Sequence, residues 1–416
     1  MLLENKQVAI IGGGMGGLLL ARLLQMQNVN VKVFERDTND EVRIQGSPLD
    51  LHEDSGLKAM INAGLEKEFY SNISPNASKA RILNKDFELK FDEHLDSNTD
   101  SISISMSNSK SKSKSKSKSK QNSIDNSLQD ISKPRPEIDR SVLRNILLQS
   151  LLPETIIWDS YFLSMEKENK GWRLHFKNET NFYADLVIAA DGANSKVRSY
   201  LNAEKPIYSG ITMLEGTIYN AKENAPNLFH FSKGGKVLAL GNEQTIMYGT
   251  KGDGSLMFLL SSKIPENWIS ESDLDFKNNQ EVFDWFKEVY KEWSPKWHEL
   301  LLSDELYFIP RPQYYFPLNQ TWETQDNLTM IGDAAHRMPP FAGKGANLAM
   351  LDALELSEFL TTNSFKDIKS AISHFEKRML ERATKATEDT LKNGAQLHSE
   401  NALENLVAIF ERTTKT

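Results

Sequence analysis

Apolar positions run through this chain in three rhythms. Residues 8–11 (VAII) are an unbroken apolar run, as a strand covered on both faces would be. Leu18, Leu19, Ala21, Leu23 and Leu24 follow as an apolar helix, and residues 29–35 (VNVKVFE) as the next strand. That order predicts a β-α-β unit with a right-handed crossover. A second helix is expected over 55–65, and the alternation across 82–91 predicts a strand. Val142, Leu143, Ile146, Leu147 and Leu151 lie on one helical stripe within 141–152. Strands are expected near Ile156, over 172–176 and over 184–190. Residues 211–262 hold four strand-like runs, ITMLEGTIY, KVLALG, TIMYGT and LMFLLSS, with a turn at Lys251-Gly252-Asp253-Gly254. They predict a mainly antiparallel sheet in a second domain. Phe283, Phe286, Tyr290 and Trp293 recur at helical spacing and read as core. Residues 328–331 return to the first sheet. Residues 367–411 read as largely helical, either a brace between the domains or an oligomer interface.

The rhythm fails between 96 and 130. Large apolar residues almost vanish there, and 109–120 is six Ser-Lys repeats. Such a segment buries too little surface to offset its ordering entropy, so it reads as a disordered insertion in a hairpin. An electrostatic arm for an anionic surface is the functional alternative; no aromatics interleave with the lysines. The whole chain, 416 residues with net charge -8, has room for two or three domains and is too acidic for a general nucleic-acid binder. It has no cysteine, which excludes disulfides, thiolate metal sites and a thiol nucleophile. With no signal-peptide pattern and no apolar run of transmembrane length, a soluble cytoplasmic protein is expected.

Two glycine-rich stretches carry the chemistry. Gly12, Gly14 and Gly17 form G-x-G-x-x-G between the first strand and the first helix. Gly12 permits the tight turn, Gly14 lets a pyrophosphate approach the backbone, and Gly17 lets helix and strand pack closely. The helix N-terminus then offers unpaired N–H groups to the phosphates. Glu35 ends the second strand at the distance where an acid accepts hydrogen bonds from a ribose. Far away, Gly332-Asp333 follows another apolar strand, and the turn 339–345 (PPFAGKG) opens a second helix. Asp333 suits a ribityl hydroxyl, and that helix end suits the anionic edge of a reduced flavin. Together the stretches argue for FAD. A third strand-turn, 191–198 (DGANSKVR), predicts one more helix start.

In this order the motifs resemble the single-component FAD monooxygenases of the p-hydroxybenzoate hydroxylase type, and within them the flavin-dependent tetracycline-inactivating monooxygenases. The resemblance is carried by VAIIGGGMGGL, by Phe34-Glu35-Arg36-Asp37, by Leu49-Asp50-Leu51-His52, by Glu137-Ile138-Asp139-Arg140 with Leu143-Arg144, and by GDAAHRMPPFAGKGAN. It covers nearly the whole chain outside the insertion. It implies an α/β fold, α+β overall: a discontinuous Rossmann-like FAD-binding domain (1–68, 131–203 and 322–364), a mainly antiparallel substrate-binding domain (69–95 and 204–321), the insertion 96–130 and a C-terminal helical segment 365–416. It further implies that Glu35 and Arg36 meet the adenosine part of FAD, that Arg140 holds the phosphate and ribityl region, and that Asp50 and Asp333 contact the cofactor. Arg43 would sit where the nicotinamide cofactor docks, and Gly345, Ala346 and Asn347 beside the flavin ring. Phe341 belongs to the same turn and is a candidate substrate contact.

The sequence departs from that pattern in two places. Lys344 stands where the family has Gln. Glu215, Lys236 and Met257 stand where the tetracycline enzymes present Gln, Arg and His to the drug, so different hydrogen bonds are offered. The implied activity is NADPH- and O2-dependent hydroxylation of an electron-rich aromatic or polycyclic phenol or enol through a flavin C4a-hydroperoxide, with tetracycline inactivation, and so antibiotic resistance, as one form. No metal and no side-chain nucleophile is required, and a monomer is expected. His52 and His336 are acid/base candidates with a structural role as the alternative. A reductase on the same fold, or a non-catalytic FAD-binding interaction protein, is the rival. A halogenase would carry Trp-x-Trp-x-Ile-Pro, which is absent.

Overall fold

The computed structural model describes residues 2–42, 48–74, 76–95, 135–303 and 306–413. The Ser-Lys insertion and Arg43 lie outside the described residues. Five strands form a parallel sheet in the order β17-β11-β1-β2-β7: β1 (Gln7–Ile11), β2 (Asn30–Phe34), β7 (Ile156–Ile157), β11 (Leu186–Ala189) and β17 (Leu328–Met330). Val8, Ala9, Ile10 and all of β11 are buried, because layers cover the sheet on both faces; continuous apolar runs follow from that. Helices α1 (Met15–Gln25), α2 (Gly56–Asn62), α3 (Glu66–Tyr70), α4 (Arg140–Gln149), α9 (Asp333–His336) and α10 (Gly345–Thr361) share this core. So does a three-stranded antiparallel sheet of β8 (Phe162–Glu168), β9 (Gly171–Phe176) and β10 (Asn181–Ala184), whose Phe176 stacks on Phe34 at 4.6 Å.

A second sheet of seven strands has the order β16-β12-β15-β14-β13-β4-β5: β4 (Ala80–Asn84), β5 (Leu89–Asp92), β12 (Ile207–Ile218), β13 (Lys236–Gly241), β14 (Gln244–Thr250), β15 (Leu256–Lys263) and β16 (Leu306–Tyr315). All its pairs are antiparallel except β13 with β4. Its side chains alternate between faces. Leu214, Ile218, Val237, Ile246, Phe258 and Leu260 turn to a core built with α5 (Ala221–Asn224), α6 (Pro226–Ser232) and α8 (Asn279–Val289). Phe286, Tyr290 and Trp293 are buried there, as their spacing predicts; Phe283 is half-buried against them, and α7 (Trp268–Glu271) packs Trp268 on Trp285. Met213, Leu238, Met257 and Leu259 turn the other way, toward the first sheet.

Two expectations need correction. The stretch 82–91 is not one strand but the β4–β5 hairpin. Asn84 accepts the N–H groups of Asp86 and Glu88 at 3.1 and 2.9 Å, and Phe87 takes a positive φ of 64°, so the chain reverses where the alternation alone reads as extended. The turn after β11 opens only a four-residue 3-10 helix, Val197–Tyr200, because Asp191 accepts the Lys196 N–H at 2.9 Å and holds the loop ahead of it.

The helical C-terminal segment is α11 (Ile368–Leu397) and α12 (Ala402–Thr413). On α11, Glu376 accepts hydrogen bonds from Thr324 and Thr329 beside the parallel sheet. Its far end, with α12, packs Leu397, Leu406 and Phe410 against Ile82 and Leu240 of the second sheet. The segment therefore braces the two sheets. Among the described residues no helix is long and apolar enough to cross a membrane, and no cluster of His, Asp and Glu could hold a metal ion.

Candidate functional site

Between the sheets lies one cavity of about 940 Å³. Its nucleotide end is the turn from β1 into α1. Gly12 has φ of 109°, and a Cβ there would stand 2.3 Å from the Ala190 carbonyl oxygen. A Cβ on Gly17 would stand 2.1 Å from the Gly12 carbonyl oxygen. Neither position admits a side chain without moving backbone. At Gly14, the residue preceding the first turn of α1, a Cβ would meet nothing within 4 Å. That open cradle, facing the cavity at a helix N-terminus, fits a pyrophosphate. Glu35 is buried beside it, and its carboxylate accepts the N–H groups of Gly13 (2.7 Å) and Asp37 (3.1 Å), tying the turn to the end of β2. Arg36, Arg140 and Asp333 are exposed at the cavity wall, two cations and an anion.

Gly345 and Ala346 open α10 at the cavity. Asn347 is not among the lining residues. Its Oδ1 accepts the His52 N–H at 2.8 Å and its Nδ2 donates to the Asp50 carbonyl at 2.8 Å, so it fastens the strand β3 (Leu49–Asp50) to α10. Lys344 turns away to Asp389 on α11, at 2.8 Å. Two further bonds from α11 hold the preceding turn: Thr390 donates to the Pro339 carbonyl (2.7 Å) and Asn393 to that of Phe341 (3.1 Å).

The two histidines separate. His336 is buried outside the cavity lining, 2.6 Å from Asp352, which also accepts from Gly332 N–H (3.0 Å) and Arg382 (2.9 Å). Burial lowers the His336 pKa, but the Asp352 carboxylate outweighs it and the net direction is up. That network braces α9, α10 and α11. His52 contacts Asp50 at 3.2 Å, close to the cavity. Burial pushes the Asp50 carboxyl up, yet His52, Lys236 and Arg135 hold it well below the usual carboxylate range.

Met257 and Lys236 of the second sheet, with Phe341, also line the cavity. Glu215 shares their side of the sheet, opposite the lining residue Leu259, but is held by the Arg311 guanidinium and lies outside the lining. Sequence reasoning missed three site residues. Glu137 on β6 (Glu137–Ile138) lines the cavity, only 2% exposed, and pairs with Lys236. Ser261 lines it too, 2.8 Å from Nε2 of the buried His398, whose Nδ1 donates to the Gly394 carbonyl. Glu137 stood inside a quoted motif without a partner to give it meaning. Ser261 and His398 are 137 positions apart and carry no local signal.

A family model described as an FAD binding domain matches residues 5–389. Monooxygenase asqM of Emericella nidulans is 27% identical over 97% of this chain and 98% of its own. Klebsiella pneumoniae HpxO, complexed with FAD and uric acid, aligns at TM-score 0.71 and 15% identity, covering 100% of this chain and 94% of that one. Tetracycline destructase Tet(55) aligns at TM-score 0.70 and 17% identity, over 100% of this chain and 98% of its own. Both structural likenesses are likenesses of fold.

Proposed function

The chain belongs to the FAD binding domain family as an FAD-dependent monooxygenase, and from that premise we propose that it hydroxylates an electron-rich phenol or enol of aromatic or polycyclic type, at the expense of NADPH and O2. One observation carries this reading: a single cavity runs from Gly14 to Met257 without a wall between them. Bound FAD supplies the redox and oxygen-transfer chemistry. The chain supplies placement. Gly14 and the N-terminus of α1 receive the pyrophosphate, with Glu35 and Arg36 toward the adenosine, and Arg140, Asp50 and Asp333 along the ribityl chain. Gly345 and Ala346 lie beside the ring, and the nicotinamide docks near Arg43. Phe341, Met257 and Lys236 shape the substrate end, with Glu215 on the same sheet face.

Met213, Met257, Leu259 and Phe341 give that end an apolar lining that excludes water around a flat substrate. The division of the chain into cofactor and substrate domains follows the same reading. The polycyclic form of the substrate draws on the fold shared with a tetracycline destructase, and a small nitrogen heterocycle draws on HpxO with its uric acid.

The test is NADPH oxidation by FAD-loaded protein with tetracycline, uric acid and simple phenols, with hydrogen peroxide measured alongside. A substrate that accelerates NADPH loss without an equal rise in peroxide supports oxygenation. Acceleration matched by peroxide alone would favour the reductase reading.

A further inference from the structure

The ribbon of β3 and β6 puts Asp50 directly opposite Glu137, and opposite residues of an antiparallel pair share a face. Both line the cavity. Lys236, the first residue of β13, reaches across from the second sheet and pairs with the Glu137 carboxylate. The two ends of that pair differ in access. The Glu137 side chain is 2% exposed and that of Lys236 is 39%. Asp50 is directly engaged by Arg135 at 3.0 Å and His52 at 3.2 Å, and Lys236 acts on it only through its charge, so Glu137 is the carboxylate that Lys236 contacts. The cavity wall therefore holds an accessible ammonium with a shielded carboxylate behind it, where the cofactor half meets the substrate half.

We propose that this pair takes a substrate hydroxyl as its oxyanion, Glu137 accepting the proton and Lys236 pairing with the oxygen left behind. This rests on the function proposed above and names the chemistry of its substrate subsite. The exchange balances. The substrate O–H bond breaks, an O–H bond forms on a Glu137 oxygen, and the electron pair stays on the substrate oxygen. Lys236 faces one anion before and one after, so the buried charge does not change. An unpaired anion brought into such a wall would meet a desolvation cost; a swap of anions does not. Ionised, the substrate oxygen enriches the ring carbons beside it, which suits them to accept oxygen.

The surroundings fit a group that trades a proton near neutrality. Burial raises Glu137 and Lys236 lowers it, while Asp50 across the ribbon and Asp139, just past the end of β6, raise it further, to about 7. Arg135 faces Asp50 from the segment before β6.

The experiment is an equilibrium titration of FAD-loaded protein with 4-nitrophenol, without NADPH, near pH 7. Phenolate absorbance reports the ionisation of the bound probe, and calorimetry in two buffers of different ionisation enthalpy counts protons. Wild type is expected to bind the phenolate with almost no net proton release. Glu137→Gln should still bind phenolate but release the proton to buffer. Lys236→Met should weaken binding about tenfold and leave the bound probe no more ionised than the free one. Lys236→Arg should restore the phenolate spectrum, which a merely structural role would not require. A Glu137→Gln proton count equal to wild type, phenolate bound by Lys236→Met, or no binding to wild type overturns the assignment. No turnover is involved, so failure to oxygenate any substrate would sink the proposed function while leaving these counts to stand.

Discussion

The two ends of the cavity are built on opposite principles. At the glycine turn the geometry is local: Gly12, Gly14 and Gly17 span six residues, and backbone 2.3 and 2.1 Å from where a Cβ would stand closes Gly12 and Gly17 to side chains while Gly14 stays open. At the end lined by the second sheet the geometry is assembled from distant elements: Glu137 meets Lys236, and Ser261 meets His398. Under the proposed function, a local device fixes where the cofactor lies, and a distributed one lets the substrate contacts change without disturbing that turn.

Five substitutions test that contrast, from the largest expected effect down. Asp352→Ala leaves the buried His336 without its carboxylate and Arg382 with Glu355 alone, beside the parallel sheet. A loss of about 3–5 kcal/mol in urea unfolding is expected. Next comes Gly17→Ala, whose Cβ collides with the Gly12 carbonyl; about 2–3 kcal/mol and most of the bound FAD should go. Gly14→Ala is its control. With open space at the Cβ, stability should hold while FAD affinity falls, as flavin fluorescence on dilution would report. Equal destabilisation by both glycine variants would break the contrast.

On the substrate side the effects are smaller and depend on pH. Glu137 titrates at about 7 in the folded protein against an ordinary value of 4.5. Its contribution to stability is therefore complete below pH 4.5 and is lost as pH rises through about 7. Glu137→Gln should unfold like wild type at about pH 5 and be more stable than wild type by about 2 kcal/mol at about pH 8.5. A pH-independent difference would contradict the burial argument. Smallest is Ser261→Ala, which removes one hydrogen bond to His398 and should cost about 1 kcal/mol with FAD binding unchanged.

What the sequence made legible follows the same division. The β-α-β unit, the return of β17 to the first sheet and the opening of α10 rest on glycines and apolar runs, signals confined to a few neighbours. The four strand runs of 211–262 were legible as strands because one face is buried and the other faces the cavity. Their partners were not. Nothing in 82–91 announces that Asn84 caps a reversal, and nothing near Lys236 names Glu137. Asn347 shows the limit from the other side: its motif is visible, but its bonds to Asp50 and His52 appear only once β3 lies on α10. The helical segment 367–411 was legible as helix, but its contacts were not: its bonds to Thr329, Pro339 and Phe341 and its packing on Ile82 and Leu240 come from residues far away in the chain.

The central claim is that FAD at the glycine turn acts on a compound held against the second sheet in the same cavity. The most direct measurement is the mass of the product formed by FAD-loaded protein with NADPH under ¹⁸O2, from whichever compound stimulates NADPH oxidation. A product heavier by one ¹⁸O atom is the expected result. A substrate recovered unlabelled, with all the label in peroxide, would contradict it.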